Sequence, residues 1–488
     1  MSKALRIAKN STYIFIGEII SHILQLIIIV YLARSLGDIN FGLYSFAVAF
    51  AVIFMVISDL GLSNLITREI SRDISNAHKT ILDIIGVKII FSIAAIIVII
   101  ILVNFLNYPI ETKILICIVG LTTVVSSYIN LFRSIFRAFE RMDYEFISKI
   151  IERSTVFILS IPILYLYKDL TLVLLAMLLA ETVSLIITKM FLLNRLINTK
   201  LILSYISFNF PMIKNIVKES LPFGLASIFG VIYFQTDTLM LSALMGDAAV
   251  GWYNAASKLV MATLFIPSSF IGALYPVMSN YFVTSKKKLI IIYEKSFQIL
   301  MVIGIAMGIM ITMMAENIIV LLYGNEFKNS IIIMQILIWV ASILFLINIV
   351  GYTLASINKQ IVDTKITGIS ALLNVFLNFV LISRYGYIGA CIASIVSQLL
   401  VFLFDFNYLQ TNGYYISISN NIFKPIIAGF IALCSMILFK VIFMNNISII
   451  NTIVILIIGS IIYLQVLNQL GIIDYIKLIN FMRSMKIR

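Results

Sequence analysis

Residues Leu32 to Tyr44 read LARSLGDINFGLY, and Ser242 to Tyr253 read SALMGDAAVGWY. Gly37-Asp38 matches Gly246-Asp247, Gly42 matches Gly251, and Tyr44 matches Tyr253, all at one offset of 209 residues. A long apolar run leads into each copy and another leads out. Glycine supplies the positive φ of a bend, and aspartate bonds its own backbone there. Each copy therefore reads as the outer tip of a hairpin between two membrane helices, with Gly37, Asp38, Gly246 and Asp247 as the turn residues. A repeated tip predicts two related halves.

Composition sets the medium. The 488 residues are 61% hydrophobic and 12% charged, with a mean hydropathy of +1.09. A water-soluble surface cannot be built from so few charges, so the chain reads as an all-α, polytopic membrane protein. Cys117, Cys391 and Cys434 lie inside apolar runs and predict neither a disulfide framework nor a metal site. The first apolar run follows Lys3, Arg6 and Lys9. It is too long for a signal peptide and has no small-residue cleavage site, so it reads as an uncleaved first span.

Apolar runs place spans near 11–31, 43–63, 81–104, 114–135, 150–167, 170–193, 219–243, 252–276, 291–314, 329–350, 366–383, 387–410, 422–443 and 447–469. That makes about fourteen, each near the ~20 residues a bilayer requires. The expected lobes are 1–200 and 219–412, joined by a cytoplasmic linker at 201–218. Two further spans and a tail fill 413–488. Six spans per lobe is an even number, so both copies enter from the same side and the repeat is parallel. Ala138-Phe139-Glu140-Arg141 echoes Ala355-Ser356-Ile357-Asn358-Lys359 at an offset of about 217, which implies a small insertion in the second copy.

Charge orients the spans. With the N-terminus in the cytoplasm, the inner segments collect about 26 of the 35 lysines and arginines and the outer loops about five. An excess of that size is what the positive-inside rule requires. Both termini are then expected on the cytoplasmic side of the plasma membrane. The net charge of +13 reads as topology and contact with anionic membrane lipids, with no nucleic acid partner. There is no P-loop, H-E-x-x-H, paired CxxC or G-x-S-x-G signature, and the outer loops are short and nearly bare. An enzyme, a metal centre and a bound cofactor are not expected.

Ionisable residues inside spans are costly and by default line a polar cavity or pair. Glu18, His22 and Gln25 share one face of the first span. Asp59 in the second lies as far past the bend as Glu18 lies before it, so two carboxylates stand at one depth. Such a pair could share H+ or hold Na+, as in ion coupling; alternatively Asp59 caps a helix end. In the second copy Asp237 and Lys258 also share a depth, which suggests an ion pair, either a static clasp or a gate. Arg133, Arg137 and Arg141, four apart, form a stripe that is either topology or a seat for a headgroup phosphate. Pro222, Pro267 and Pro276 predict breaks or kinks.

The run RIAKNSTYIFIGEIISHILQLIIIVYLARSLGDINFGLYSFAVAF from Arg6, the exit DLGLSNLITREISR from Asp59, LPFGLASIFGVIYFQTDTLMLSALMGDAAVGWY from Leu221 and ALYPVMSN from Ala273 resemble polysaccharide transporters. These are the Wzx-like lipid-linked oligosaccharide flippases of the multidrug/oligosaccharidyl-lipid/polysaccharide exporter superfamily. The resemblance covers essentially the whole chain. It implies two six-helix lobes around a central cavity, lined largely by the first, second, seventh and eighth spans, that opens alternately to each side. It implies a polyprenyl-linked oligosaccharide as substrate and polysaccharide-assembly enzymes as possible partners. Glu18, His22, Gln25, Asp59, Asp237 and Lys258 fall on that cavity. Peptidoglycan-precursor flippases look strongly cationic inside. Here Lys258 is the lone cation, which argues against that branch. A cation-coupled multidrug exporter and a non-transporting membrane assembly factor are the competing expectations.

Overall fold

The computed structural model describes residues 3–106, 108–195, 210–443 and 449–472. Half of the expected linker, 201–209, and the C-terminal tail from 473 lie outside them. The described residues form α1 (Lys3–Asp59), α2 (Leu62–Arg72), α3 (Ala77–Phe105), α4 (Ile110–Ala138), α5 (Met142–Tyr167) and α6 (Leu170–Arg195). They continue as α7 (Phe210–Met245), α8 (Asp247–Ala262), α9 (Phe265–Thr284), α10 (Lys286–Leu322) and α11 (Ser330–Ser356). The last four are α12 (Gln360–Tyr385), α13 (Tyr387–Thr411), α14 (Lys424–Phe443) and α15 (Ile449–Gln469). No strand occurs among the described residues. In hydrocarbon such helices satisfy their backbone groups internally.

Thirteen segments among the described residues are long and apolar enough to cross a membrane. The first, Ile16–Arg72, is 57 residues long, far more than one crossing needs. It folds at Gly37, whose φ of 78° and ψ of 175° are the one non-helical point inside α1. The two arms and the twelve later segments together give the fourteen spans expected. The tips are tighter than a loop. A single glycine, Gly37 or Gly246 (φ 83°), turns each one. Asp38 Oδ1 accepts from the next amide, Ile39 N, at 2.9 Å. Of the three prolines, Pro222 and Pro276 sit within continuous helices. Pro267 follows the break at 263–264 that separates α8 from α9. Lacking an N–H, it cannot donate to the Thr263 carbonyl, which accepts from Ile266 N at 3.1 Å instead.

The corner between α4 and α5 is repeated between α11 and α12. Glu140 (φ 57°) and Asn358 (φ 62°) are both left-handed. Arg141 N donates to Phe136 O, and Lys359 N to Leu354 O, each at 2.8 Å. This is the helix-ending motif that closes the last turn through a left-handed residue. The register it fixes is 218 residues, one more than the alanines of the two sequences suggest. Lys168 (φ 50°) and Gly386 (φ 59°) at the next corner keep the same 218.

By packing, the chain divides into residues 1–255 with 375–390, and 256–374 with 391–488. In the first unit Leu62, Ile66, Ile70, Ile81, Ile84, Leu131, Ile135 and Phe136 make a core shared by α2, α3 and α4. In the second, Tyr293, Phe297, Phe345, Ile349, Phe406, Leu409 and Tyr463 do so. α7 and the first half of α8 belong to the first unit, so the start of the second sequence copy packs on helices of the first.

Candidate functional site

The two repeated tips meet each other. A Cβ built on Gly42 would lie 1.8 Å from Asp247 O, and one on Gly251 would lie 2.1 Å from Asp38 O. The contact is reciprocal, as a two-fold relation between the copies requires: each glycine receives the carbonyl of the other copy's aspartate. No side chain fits at either glycine. Trp252 Nε1 donates to Asp38 Oδ2 at 2.8 Å, and the Trp252 ring stands edge-on to Tyr387.

A second close contact joins the other end of the same arm to α7. Gly61 (φ 79°), between α1 and α2, packs so tightly that a Cβ would lie 2.6 Å from Ser220 O and 2.7 Å from Gly224 N. A Cβ on Gly224 would lie 3.0 Å from the Leu60 carbonyl. Arg68 of α2 pairs with Glu219 of α7 and lies over the Phe223 ring. The residues between, 38 to 59, form one helical arm of roughly 33 Å at 1.5 Å per residue, enough to cross a bilayer. The arm thus meets α8 at its tip, and the turn that ends it at Leu60-Gly61 meets α7.

Inside the spans, the charges are arranged by pairs. Glu18 and Asp59 each have a lysine. Lys149 Nζ of α5 lies 2.5 Å from Glu18 Oε1, and Lys88 Nζ of α3 donates to Asp59 Oδ1 at 2.7 Å. His22 Nε2 stands 3.7 Å from Glu18 Oε2, one helical turn away as expected. Gln25 on the same face is half-buried. Asp59 also accepts from Ser63 Oγ at 2.6 Å and Ser63 N at 3.5 Å, in the first turn of α2. Lys88 is fully buried. A lysine so placed is held by its partner, because an unpaired buried charge is far costlier than a paired one.

The arginine stripe is occupied from within. Buried Arg133 pairs with buried Glu152 and donates to Ser148 Oγ at 3.1 Å. Arg137 Nε is 3.3 Å from Glu145 Oε2. Arg141 clasps Asp143 with two hydrogen bonds, at 3.0 and 2.8 Å, and covers the Tyr144 ring. Those bonds raise the Arg141 guanidinium above its usual range. All three cations face acids of α5. Arg133 is buried among these partners, while Arg137 and Arg141 stay partly exposed. Glu181 of α6 is buried beside this network, with Oε2 meeting no donor among the described residues.

Asp237 of α7 is buried and bonded to other helices. It accepts from Tyr253 Oη of α8 and from Asn378 Nδ2 of α12 at 2.6 Å. One residue on, Asn254 Nδ2 donates to Thr238 Oγ1 at 3.1 Å. The tyrosine that the repeated motif carries therefore anchors a carboxylate. Lys258, exposed, falls in the other packing unit.

A family model described as "Polysaccharide biosynthesis protein" matches residues 7–282. The chain belongs to that family. The match covers both tips and both glycine contacts, and a second model, MatE, matches residues 222–380. Among relatives, the Staphylococcus aureus "Capsular polysaccharide biosynthesis protein CapF" is 24% identical over 410 residues, 81% of this chain and 97% of that one. The Haloferax volcanii "Probable low-salt glycan biosynthesis flippase Agl15" is 24% identical over 189 residues, 38% of this chain and 40% of that one. Among solved structures, "Lipid II flippase MurJ, inward closed conformation" shares the fold, with a TM-score of 0.72 at 15% identity over 93% of this chain and 97% of that one. The chain is a multi-pass membrane protein of this polysaccharide family.

Sequence reasoning missed Lys88, Lys149, Glu152 and Asn378, and it found Tyr253 only as part of the repeated motif, without its partner Asp237. Lys88 carried a signal, since it interrupts the apolar run IIGVKIIFS. The others are ordinary residues until crossing helices give them partners.

Proposed function

We propose that this protein flips a polyprenyl-linked oligosaccharide from the cytoplasmic to the outer leaflet of the plasma membrane, for surface polysaccharide synthesis. It works by alternating access of its paired hairpins. The observation that carries this reading is the pair of glycine contacts at opposite ends of one membrane-spanning arm. Two close backbone contacts, one at each end, are what a carrier needs if it opens one side while the other stays shut. The family match and the relatives named for capsule and glycan synthesis supply the substrate class. The distribution of lysine and arginine supports a cytoplasmic position for both termini. The reading is transport rather than catalysis, with polysaccharide-assembly enzymes as downstream partners. Glu18, His22, Gln25, Asp59, Asp237 and Lys258 are the residues assigned to the transport path or its coupling to H+ or Na+.

The test is flipping in proteoliposomes. A lipid-linked oligosaccharide is placed in one leaflet and its exposure to an external glycosidase is followed, for the wild type and Glu18→Gln. Exposure by the wild type and its loss in the variant support the flippase and the role of Glu18. The MatE match favours a second reading, a cation-coupled drug exporter. Ethidium clearance driven by a proton or sodium gradient, with no movement of sugar, would replace the first reading with the second.

A further inference from the structure

In the first repeat, acids of α5 stand among resident cations. Glu145 has Arg137 Nε at 3.3 Å and Lys149 Nζ at 3.3 Å, and Arg133 pairs with Glu152 two turns on. The register of 218 fixed by Glu140 and Asn358 carries this arrangement into the second repeat. Asp363 of α12 stands where Glu145 does. Gly351, Ala355 and Thr367 stand where Arg133, Arg137 and Lys149 do. The second copy keeps the acid and lacks all three cations.

It also has a second acid in that place. Asp405 of α13 is fully buried, at 0% exposure, and neither of its oxygens meets a donor among the described residues. Its carboxyl group lies within hydrogen-bonding reach of that of Asp363. Gly351 leaves the near side of Asp363 open: a Cβ there would stand 3.5 Å from Asp363 Oδ1. Lys359 and Lys365, the lysines nearest along the chain, are exposed. On α10, Tyr293 contributes a buried hydroxyl to the core that also holds Phe402, Phe406 and Leu409 of α13. It carries no charge to offset the acids. Two carboxylates so close, one of them wholly out of water, repel strongly unless a cation stands between them.

We propose that Asp363 and Asp405 form a binding site for one monovalent cation, a proton or sodium, in the place that Arg137 and Lys149 fill in the first repeat. The first copy is neutralised permanently by its own side chains. The second is neutralised by an ion that can come and go, with half-buried Asp363 as the point of entry. The inference does not depend on what the protein transports, because its readouts are binding and not flipping.

The test uses the purified full-length chain in detergent. The melting temperature is followed against NaCl, with choline chloride holding ionic strength constant. Infrared difference spectra across neutral pH report protonated carboxyl groups. Sodium at the site gives a saturable rise in melting temperature. Asp405→Asn and Asp363→Asn abolish that rise or weaken its midpoint at least tenfold. A proton at the site gives no sodium dependence, but a protonated-carboxyl band that Asp405→Asn removes. Thr367→Lys places an ammonium one turn from Asp363, as Lys149 is from Glu145. It should abolish either signal while the protein melts no lower than the wild type, so a poorly folding asparagine variant does not decide the matter. The proposal is overturned if the wild type shows neither signal, or if the signal it shows survives in Asp363→Asn and Thr367→Lys.

Discussion

Gly42 lies against the carbonyl of Asp247 so closely that a Cβ would sit 1.8 Å from its oxygen, and Gly251 meets Asp38 in the same way. Both glycines lie inside helices, where alanine would ordinarily stabilise by ~1 kcal/mol. Gly42→Ala and Gly251→Ala are therefore expected to act through the contact and not through the helix. Each should part the tips and reduce flipping at least tenfold. Trp252, bonded to Asp38, reports the event. In a Trp339→Phe background, either alanine variant should shift its emission to the red. Wild-type emission and wild-type flipping in both variants would show that the tips tolerate a side chain.

The fold was legible because hydrophobic runs near 20 residues have few alternatives, and because Gly-Asp at a bend is local chemistry repeated in one register. The partners were not legible. Glu18 and Lys149 are 131 residues apart in the chain, and Asp237 and Asn378 are 141 apart. Depth in the membrane follows from counting residues, but which helix lies beside which does not. Equal depth thus suggested that Glu18 would face Asp59, whereas α5 and α3 each supply a lysine instead. The register of the second repeat was one residue off for a related reason. Ala138 and Ala355 look alike as letters, but the corner is built by the left-handed residues Glu140 and Asn358.

Lys88 has no exposed surface, so its pair with Asp59 should show in thermal stability. Removing Asp59 strands a buried ammonium, which costs about 3–5 kcal/mol, and removing Lys88 leaves a partly exposed carboxylate without its cation. Asp59→Asn and Lys88→Met should each lower the melting temperature sharply. The double variant should lose less than the two single losses added, because neither charge is then left alone. A coupling of at least ~2 kcal/mol is expected from a contacting pair of this kind. Additive losses in the cycle would mean that the two side chains contribute separately.

Asp73, at the C-cap of α2, gives a pH prediction outside the membrane spans. Hydrogen bonds from the Ser75 and Asn76 side chains hold its carboxyl below the usual carboxylate range. Its folded-state value lies under its unfolded one, so the contribution is present above the unfolded value and is lost as pH falls through the folded one. The turn from Asp73 to Asn76 should therefore loosen only below about pH 4, near the ordinary aspartate value. Hydrogen exchange at the Ser75 amide, which donates to Asp73 Oδ1 at 3.0 Å, measures this directly. Protection corrected for intrinsic exchange should fall with acid in the wild type and be low and flat in Asp73→Ala. A wild-type amide equally protected at pH 3 and pH 6 would contradict it.

Glu18 meets Lys149 at 2.5 Å with His22 one turn away, and the question is whether the pair holds helices together or titrates during transport. A static clasp needs opposite charges and is indifferent to which residue bears which. Exchanging them, Glu18→Lys with Lys149→Glu, should then restore most of the flipping that either single change removes. A coupling carboxylate has to sit on the face of α1 that also carries His22 and Gln25, and the exchange moves it to α5. The proposed role of Glu18 therefore predicts that the exchanged protein regains wild-type melting but flips at least tenfold more slowly. Wild-type flipping in the exchanged protein would reduce Glu18 to a structural partner of Lys149.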